Sequence, residues 1–207
     1  MKKFALVLIV GLTTIGFFHR DIPQEDTVVL TVPSQLEPPA ITTKLPEPAL
    51  PEVDVDQMHC LAKNIYFEAR GESRAGKIAV ANVTVNRVES SRYPNTVCEV
   101  VHQAVYSRWW LEHNGRQVPV RNMCQFSWYC DGKSDTVFLT DEYGNTIQAN
   151  MEAWVESIGI ARMALEGRLA DVTRGATHYF NPTLADPEWQ HAFTQVAIID
   201  NHTFFVH

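Results

Sequence analysis

A block of prolines divides this chain. Residues 21–56 hold seven of its eleven prolines (Pro23, Pro33, Pro38, Pro39, Pro46, Pro48 and Pro51), with eight acidic residues against the single base Lys44. Proline fixes φ and removes a backbone donor, and like charges repel, so neither a helix nor a strand ladder propagates through such a stretch. It reads as an extended acidic spacer. Upstream, Lys2 and Lys3 precede an apolar run of fifteen residues, Phe4 to Phe18. That run is shorter than the roughly 20 residues that span a bilayer and suits the hydrophobic region of an export signal. His19-Arg20-Asp21 is a poor cleavage context, so residues 1–20 are expected to act as a signal or an uncleaved membrane anchor, 21–56 as a linker, and 57–207 as one folded domain.

The domain is mildly acidic, with 16 acidic and 13 basic residues. It shows no basic stripe, so nucleic acid is not an expected partner. All four cysteines, Cys60, Cys98, Cys124 and Cys130, fall inside it. An even count in an exported chain favours disulfides, and three connectivities are open. A four-thiolate zinc site is the rival, but spacings of 38, 26 and 6 lack paired CxxC knuckles.

Hydrophobic spacing predicts an α+β domain dominated by helices. A first helix begins near Asp56, carries Leu61, Ile65 and Glu68–Ala69 on one face, and ends near Gly71. A second follows Ser73, with Ile78, Ala81, Val85 and Val88 sharing a face. A third has Pro94 in its first turn and Val97, Val100, Val101 and Ala104 inward. Residues 106–145 read as loops with short strands. Ile147, Met151, Trp154, Val155, Ile158 and Leu165 trace a long helix that stops at Gly167. The tail reads as two strands, Gln195–Ile199 and Thr203–Val206, joined through Asp200-Asn201.

Glu68 is the first candidate for chemistry. A carboxyl on an apolar helix face resists ionisation, and a raised pKa suits a general acid. An ordinary ion pair with Arg70 or Arg74 is the competing reading. Glu72 suits loop support. Gln125, Ser127 and Trp128, between Cys124 and Cys130, have the groups that bind sugars, and equally those of a packed hairpin. His178 could be a metal ligand, a base, a substrate contact or a hydrogen-bonded structural residue. His102, His113, His191 and His202 show no HExxH-like spacing, so no metal is expected. GxSxG, P-loop and GxGxxG patterns are absent, and no cofactor is expected.

Longer motifs add to this. Cys60-Leu-Ala, Ile65-Tyr-Phe-Glu-Ala-Arg-Gly-Glu72, Gly76-Lys-Ile-Ala-Val-Ala-Asn-Val with Asn86-Arg87-Val, and Tyr93-Pro-Asn-Thr-Val-Cys follow one another. Then come Cys124-Gln-Phe-Ser-Trp, Gly175-Ala-Thr-His-Tyr-Phe-Asn-Pro and Asp200-Asn-His-Thr-Phe-Phe. Over about residues 58–206 this order resembles the SleB/CwlJ-type cell wall hydrolases, which include spore cortex-lytic enzymes and bacterial or phage-encoded wall hydrolases. The resemblance implies a lysozyme-like, lytic-transglycosylase-type single domain with a small β region. It implies Glu68 as the catalytic acid/base, supported by Arg70 and Glu72. Gln125, Ser127, Trp128, His178, Tyr179 and Asn181 become expected substrate-binding residues. The implied partner is the glycan strand of peptidoglycan, cut between N-acetylmuramic acid and N-acetylglucosamine outside the cytoplasm. Glycosidases ordinarily use two carboxylates, and Asp131 or Asp171 could serve a hydrolytic version. An N-acetylmuramoyl-L-alanine amidase, which usually needs zinc, and a non-catalytic wall-binding module are the alternatives.

Overall fold

The computed structural model describes residues 52–207. The signal or anchor segment and nearly all of the spacer lie outside the described residues. Helix α1 (Val55–Ala69) starts two residues before the expected domain boundary, because Asp54 caps it by accepting from the backbone N–H of Asp56 and Gln57. Ser73 caps α2 (Arg74–Glu89) in the same way, through the amides of Ala75 and Gly76. Helix α3 (Val97–Val101) is shorter than expected. Pro94 precedes it instead of sitting in its first turn, because Thr96 takes the cap. Thr96 accepts from Glu99 N and donates to Glu99 Oε2 at 2.7 Å, a Thr-x-x-Glu cap. Ala104, expected on α3, opens strand β1 (Ala104–Tyr106).

The 106–145 region holds more regular structure than expected. It contains α4 (Arg108–Asn114) and β2 (Pro119–Cys124), which pairs antiparallel with β1. Helix α4 escapes a reading by hydrophobic period because it buries no residue. The long helix α5 (Gln148–Leu165) is present, and Trp154, Ile158 and Leu165 of the expected face pack against the core, but the fully buried positions are Ala153, Ser157, Ile160 and Ala161, while Val155 is 60% exposed. Small residues bring α5 close to α1, and periodicity weighted by large side chains misses them. The terminal hairpin forms as expected, from β4 (Thr194–Ile199) and β5 (His202–Val206), with Ile199 opposite His202 and Asp200 at φ +50° in the turn. Strand β3 (His178–Phe180) was not foreseen. It pairs antiparallel with β5, giving a three-stranded sheet in the order β3-β5-β4.

Leu61, Ile65, Ala81, Val100, Phe126 and Ile160 form the main core, between α1, α2, α3 and α5. Ala79, Val83, Ala176 and Phe204 join α2 to the sheet. Helix α2 therefore lies at the centre and is buried beyond the single face expected, including Lys77, Asn82, Thr84 and Arg87. Disulfides Cys60–Cys98 and Cys124–Cys130 use all four cysteines. The first ties α1 to α3, and the second closes the segment that follows β2.

Candidate active site

Glu68 sits in the last turn of α1, partly buried. Neither arginine weighed as its ion-pair partner holds it. Arg74 pairs with Glu156 at 3.1 Å, and the Arg70 guanidinium lies over the Tyr66 ring at 5.5 Å. Glu68 Oε2 instead accepts the Tyr179 hydroxyl proton at 2.9 Å. Burial pushes the Glu68 pKa above the usual carboxylate value, while the Tyr179 hydrogen bond and the charge of Arg87 restrain that rise without cancelling it. The Tyr179 hydroxyl is in turn pushed well above its ordinary value, first by burial and then by Glu68.

Three elements build this cluster. Asn86 and Arg87, near the end of α2, hold the chain leading into β3. Asn86 Nδ2 donates to Ala176 O at 3.0 Å, and Arg87 Nε donates to Thr177 O at 2.8 Å. The Arg87 guanidinium packs over Phe126 at 4.9 Å and Tyr93 at 5.4 Å, and its Nη1 is buried without a hydrogen-bond partner. Successive strand residues point to opposite faces. Tyr179 therefore turns toward Glu68 and Phe204, while His178 turns toward Trp189 and Phe193. His178 meets the Tyr93 hydroxyl at 3.4 Å, and burial together with Arg87 lowers its pKa to about 4, so it is neutral near pH 7. The Asn181 side chain folds back to accept from Thr183 N at 2.9 Å, shaping the loop after β3.

Glu72 accepts from Asn201 Nδ2 at 3.0 Å, and neighbouring Asp200 accepts from Ser73 N at 2.9 Å. These contacts latch the α1–α2 turn onto the β4–β5 hairpin. Gly76 lets them close, because a Cβ there would run into Asp200 Oδ2 and lie 2.8 Å from Glu72 Cβ.

An open cleft of about 470 Å³ flanks α1 and brings together Arg70, Ser127, Trp128, Asp131 and Asp135. Glu68 is not among its walls, although Phe67 and Arg70, on either side of it in the helix, are. Trp128 is only 6% exposed; its indole N–H donates to Asn64 Oδ1 at 2.9 Å and its ring stacks on Phe67 at 4.8 Å. It is a cleft wall and a core residue at once. Gln125 is exposed, outside that cleft, its backbone N–H donating to Gln103 O at 3.0 Å. Asp171 accepts from Thr173 N at 2.8 Å and from Gly175 N and Asn86 Nδ2. Burial acts to raise its pKa, but these bonds more than offset that and hold it low. It organises the loop ahead of β3.

Arg87 was not singled out from sequence. The available signal is a lone charge amid the apolar residues Val83, Val85 and Val88 of a helix, a placement that demands internal partners. Among the described residues, no group of three or more His, Cys, Asp or Glu side chains gathers in a metal-binding arrangement.

The fold and this cluster define a small disulfide-linked α+β domain with a glutamate of raised pKa, bonded to a tyrosine hydroxyl, close to an open cleft. Residues 71–205 match the family described as Cell Wall Hydrolase, and the chain belongs to that family. It is 27% identical over 149 residues to a spore cortex-lytic enzyme of Halalkalibacterium halodurans, covering 72% of this chain and 34% of that protein. It is 26% identical over 151 residues to one from Bacillus cereus, covering 72% and 44%. The chain thus spans less than half the length of these relatives. The catalytic domain of the germination-specific lytic transglycosylase SleB from Bacillus anthracis superposes with a TM-score of 0.47 at 26% identity, covering 75% of this chain and 98% of that domain.

Proposed function

We propose that this domain cuts the glycan strand of peptidoglycan between N-acetylmuramic acid and N-acetylglucosamine, by a lytic transglycosylase mechanism with Glu68 as sole acid/base. The observation that carries the reading is the state of Glu68: sunk in the domain, free of the neighbouring arginines, its pKa raised, and held by the Tyr179 hydroxyl. Family membership points the reading to the bacterial wall.

In the first step protonated Glu68 gives its proton to the glycosidic oxygen as the bond to the muramoyl C1 breaks. The resulting carboxylate keeps the Tyr179 hydrogen bond and feels the Arg87 charge. It then takes the proton of the muramoyl 6-hydroxyl as that oxygen closes on C1. The product is a 1,6-anhydro ring, and Glu68 ends protonated, with no water consumed. A second carboxylate is not required, which accords with the engagement of Asp171 in its own loop. Arg70, Ser127 and Trp128 lie along the adjoining cleft where a strand would run. Glu72 supports the turn behind the acid, and Gln125, His178 and Asn181 lie outside the walls of that cleft. Two disulfides accord with a domain that works outside the cytoplasm. Association of the N-terminal segment with a membrane belongs to the same proposal.

Mass spectrometry of digested sacculi is the test. Anhydromuropeptides are expected from the wild type and none from Glu68→Gln. Reducing-end products that retain the elements of water would make the enzyme a hydrolase. Released stem peptides with intact glycan would make it an amidase and sink the assignment of Glu68.

A further inference from the structure

The arm formed by β1, α4 and β2 presents an unusual surface. Residues 108–117 are exposed without a break, and α4 buries nothing. Trp109 is 55% exposed, Trp110 39% and Leu111 48%. A seven-residue helix with no buried face is marginal by itself, yet this one is capped at both ends. Ser107 accepts from Trp110 N, and Gly115, at φ +64°, closes the C-terminus through bonds to Leu111 O and Trp110 O. The Trp109 ring stacks on His113 at 4.9 Å and meets the Trp110 ring edge-on at 5.1 Å. The two indoles are thus ordered in advance, without serving the core.

Charge separates the arm from the rest of the domain. Residues 104–124 carry Arg108, Arg116 and Arg121 against Glu112, whereas the remainder of 57–207 carries ten basic and fifteen acidic residues. The arm is also tied to the cleft. Strand β2 ends at Cys124, which is bonded to Cys130, and the segment they enclose contributes Ser127 and Trp128 to the cleft wall. Asn122 N donates to Cys130 O at 3.1 Å across the same junction.

We propose that the arm is a second docking surface for the wall polymer, beyond the cleft beside Glu68. The indoles would stack on N-acetylated sugar rings, and the arginines would pair with stem-peptide carboxylates. An anionic lipid surface would answer the charge equally. Two features favour the polymer. Trp109, Trp110 and Leu111 are consecutive and so fan around a short helix instead of forming one insertable stripe, and the covalent link aligns the arm with the cleft. The inference rests on the function proposed above.

The test uses the full chain in a Glu68→Gln background, so that the polymer stays intact, with and without Trp109→Ser/Trp110→Ser. Co-sedimentation with purified sacculi is expected to weaken about tenfold in the arm variant, the scale of losing an aromatic anchor. Arg108→Gln/Arg116→Gln/Arg121→Gln is expected to weaken it too and to flatten its salt dependence. With Glu68 restored, sacculus lysis falls while turnover of a short soluble muropeptide is unchanged, and the melting temperature moves little, because none of these residues belongs to the core. Unchanged sacculus binding overturns the proposal. So does loss of binding to phosphatidylglycerol vesicles alone, which assigns the arm to a membrane, or a shift in oligomeric state alone, which assigns it to a second copy. Failure of the wild type to cut sacculi would sink the function proposed above, and the binding measurement would still decide the arm.

Discussion

Tyr179→Phe removes one oxygen and leaves the ring packed on His202 and Phe204. The hydroxyl donates to Glu68 at 2.9 Å, so it stabilises the carboxylate more than the protonated acid. A hydrogen bond to a charged group contributes about 1.5–3 kcal/mol, and about 1.4 kcal/mol corresponds to one pKa unit. The protonated acid can also accept from tyrosine, so the lower half of that range applies, and the Glu68 pKa is expected to rise by about one unit. The sign then follows. Glu68 must be protonated to act first as an acid, so activity is lost as pH rises through its pKa. Raising that pKa carries the alkaline limb of kcat/KM to higher pH by the same amount. The plateau rate falls, because a weaker acid gives up its proton less readily and its carboxylate has lost a donor. Initial rates of sacculus clearing across a pH series measure both effects. A limb that stays in place or moves to lower pH would refute the coupling of Tyr179 to Glu68.

Glu68→Gln should abolish anhydromuropeptide formation, a loss of about 10²–10⁴-fold in rate or more. Because burial raises the Glu68 pKa in the folded state, the stability tied to its proton is present below the unfolded carboxylate value and lost as pH rises through the folded one. The glutamine variant should therefore melt higher than the wild type on the alkaline side, and the two should converge in acid. Gly76→Ala would stabilise an ordinary exposed helix site by up to about 1 kcal/mol. Here the new methyl meets Asp200 Oδ2 and Glu72 Cβ, so urea titration should show a net loss of about 1–3 kcal/mol. Replacing Cys60 and Cys98 by alanine frees a loop of 38 residues and should cost about 4 kcal/mol in the chain-entropy account, read as a lower urea midpoint.

Elements with large apolar side chains at regular spacing, and their start signals, were legible in the sequence. Ser73 marks where α2 begins and Asp200-Asn201 marks the hairpin turn, whereas the Asp54 cap that starts α1 lay inside the stretch read as spacer. The inner face of α5 was less legible, because Ala153, Ser157 and Ala161 pack closely while carrying little hydrophobic signal. Helix α4 was illegible to any argument from burial, since it has none. In the site, helical phase placed Glu68 inward but could not choose between an acid and an ion pair. That choice rests on where Arg70 and Arg74 go, and Glu156, the partner of Arg74, lies 82 residues away. The cysteine pairing, likewise open from spacing, is decided by the approach of α3 to α1, with Cα atoms 5.2 Å apart at Cys60 and Cys98.

The proton chemistry of Glu68 depends on assembly. An isolated α1 would leave this carboxyl in water at its ordinary pKa. Burial against the rest of the domain supplies the upward push, which favours the acid needed at the start of a turnover. Unopposed, the same push would make the carboxylate, needed in the second half, too costly to form. Tyr179 arrives on β3, and β3 is held by Asn86 and Arg87 of α2. The restraint on the pKa therefore comes from elements remote in sequence from the acid. Loosening the α2–β3 contacts is expected to strand Glu68 in its protonated form before it unfolds the domain. Arg87→Met is the substitution that separates these effects. It leaves Thr177 O without its donor and removes the buried charge, so the alkaline limb should move upward as in Tyr179→Phe, with a stability loss of about 1–3 kcal/mol besides. Arg87→Lys keeps the charge without the guanidinium's fixed geometry and should recover part of the limb shift. Equal limbs in both variants would mean that Arg87 acts on Glu68 only by holding β3 in place.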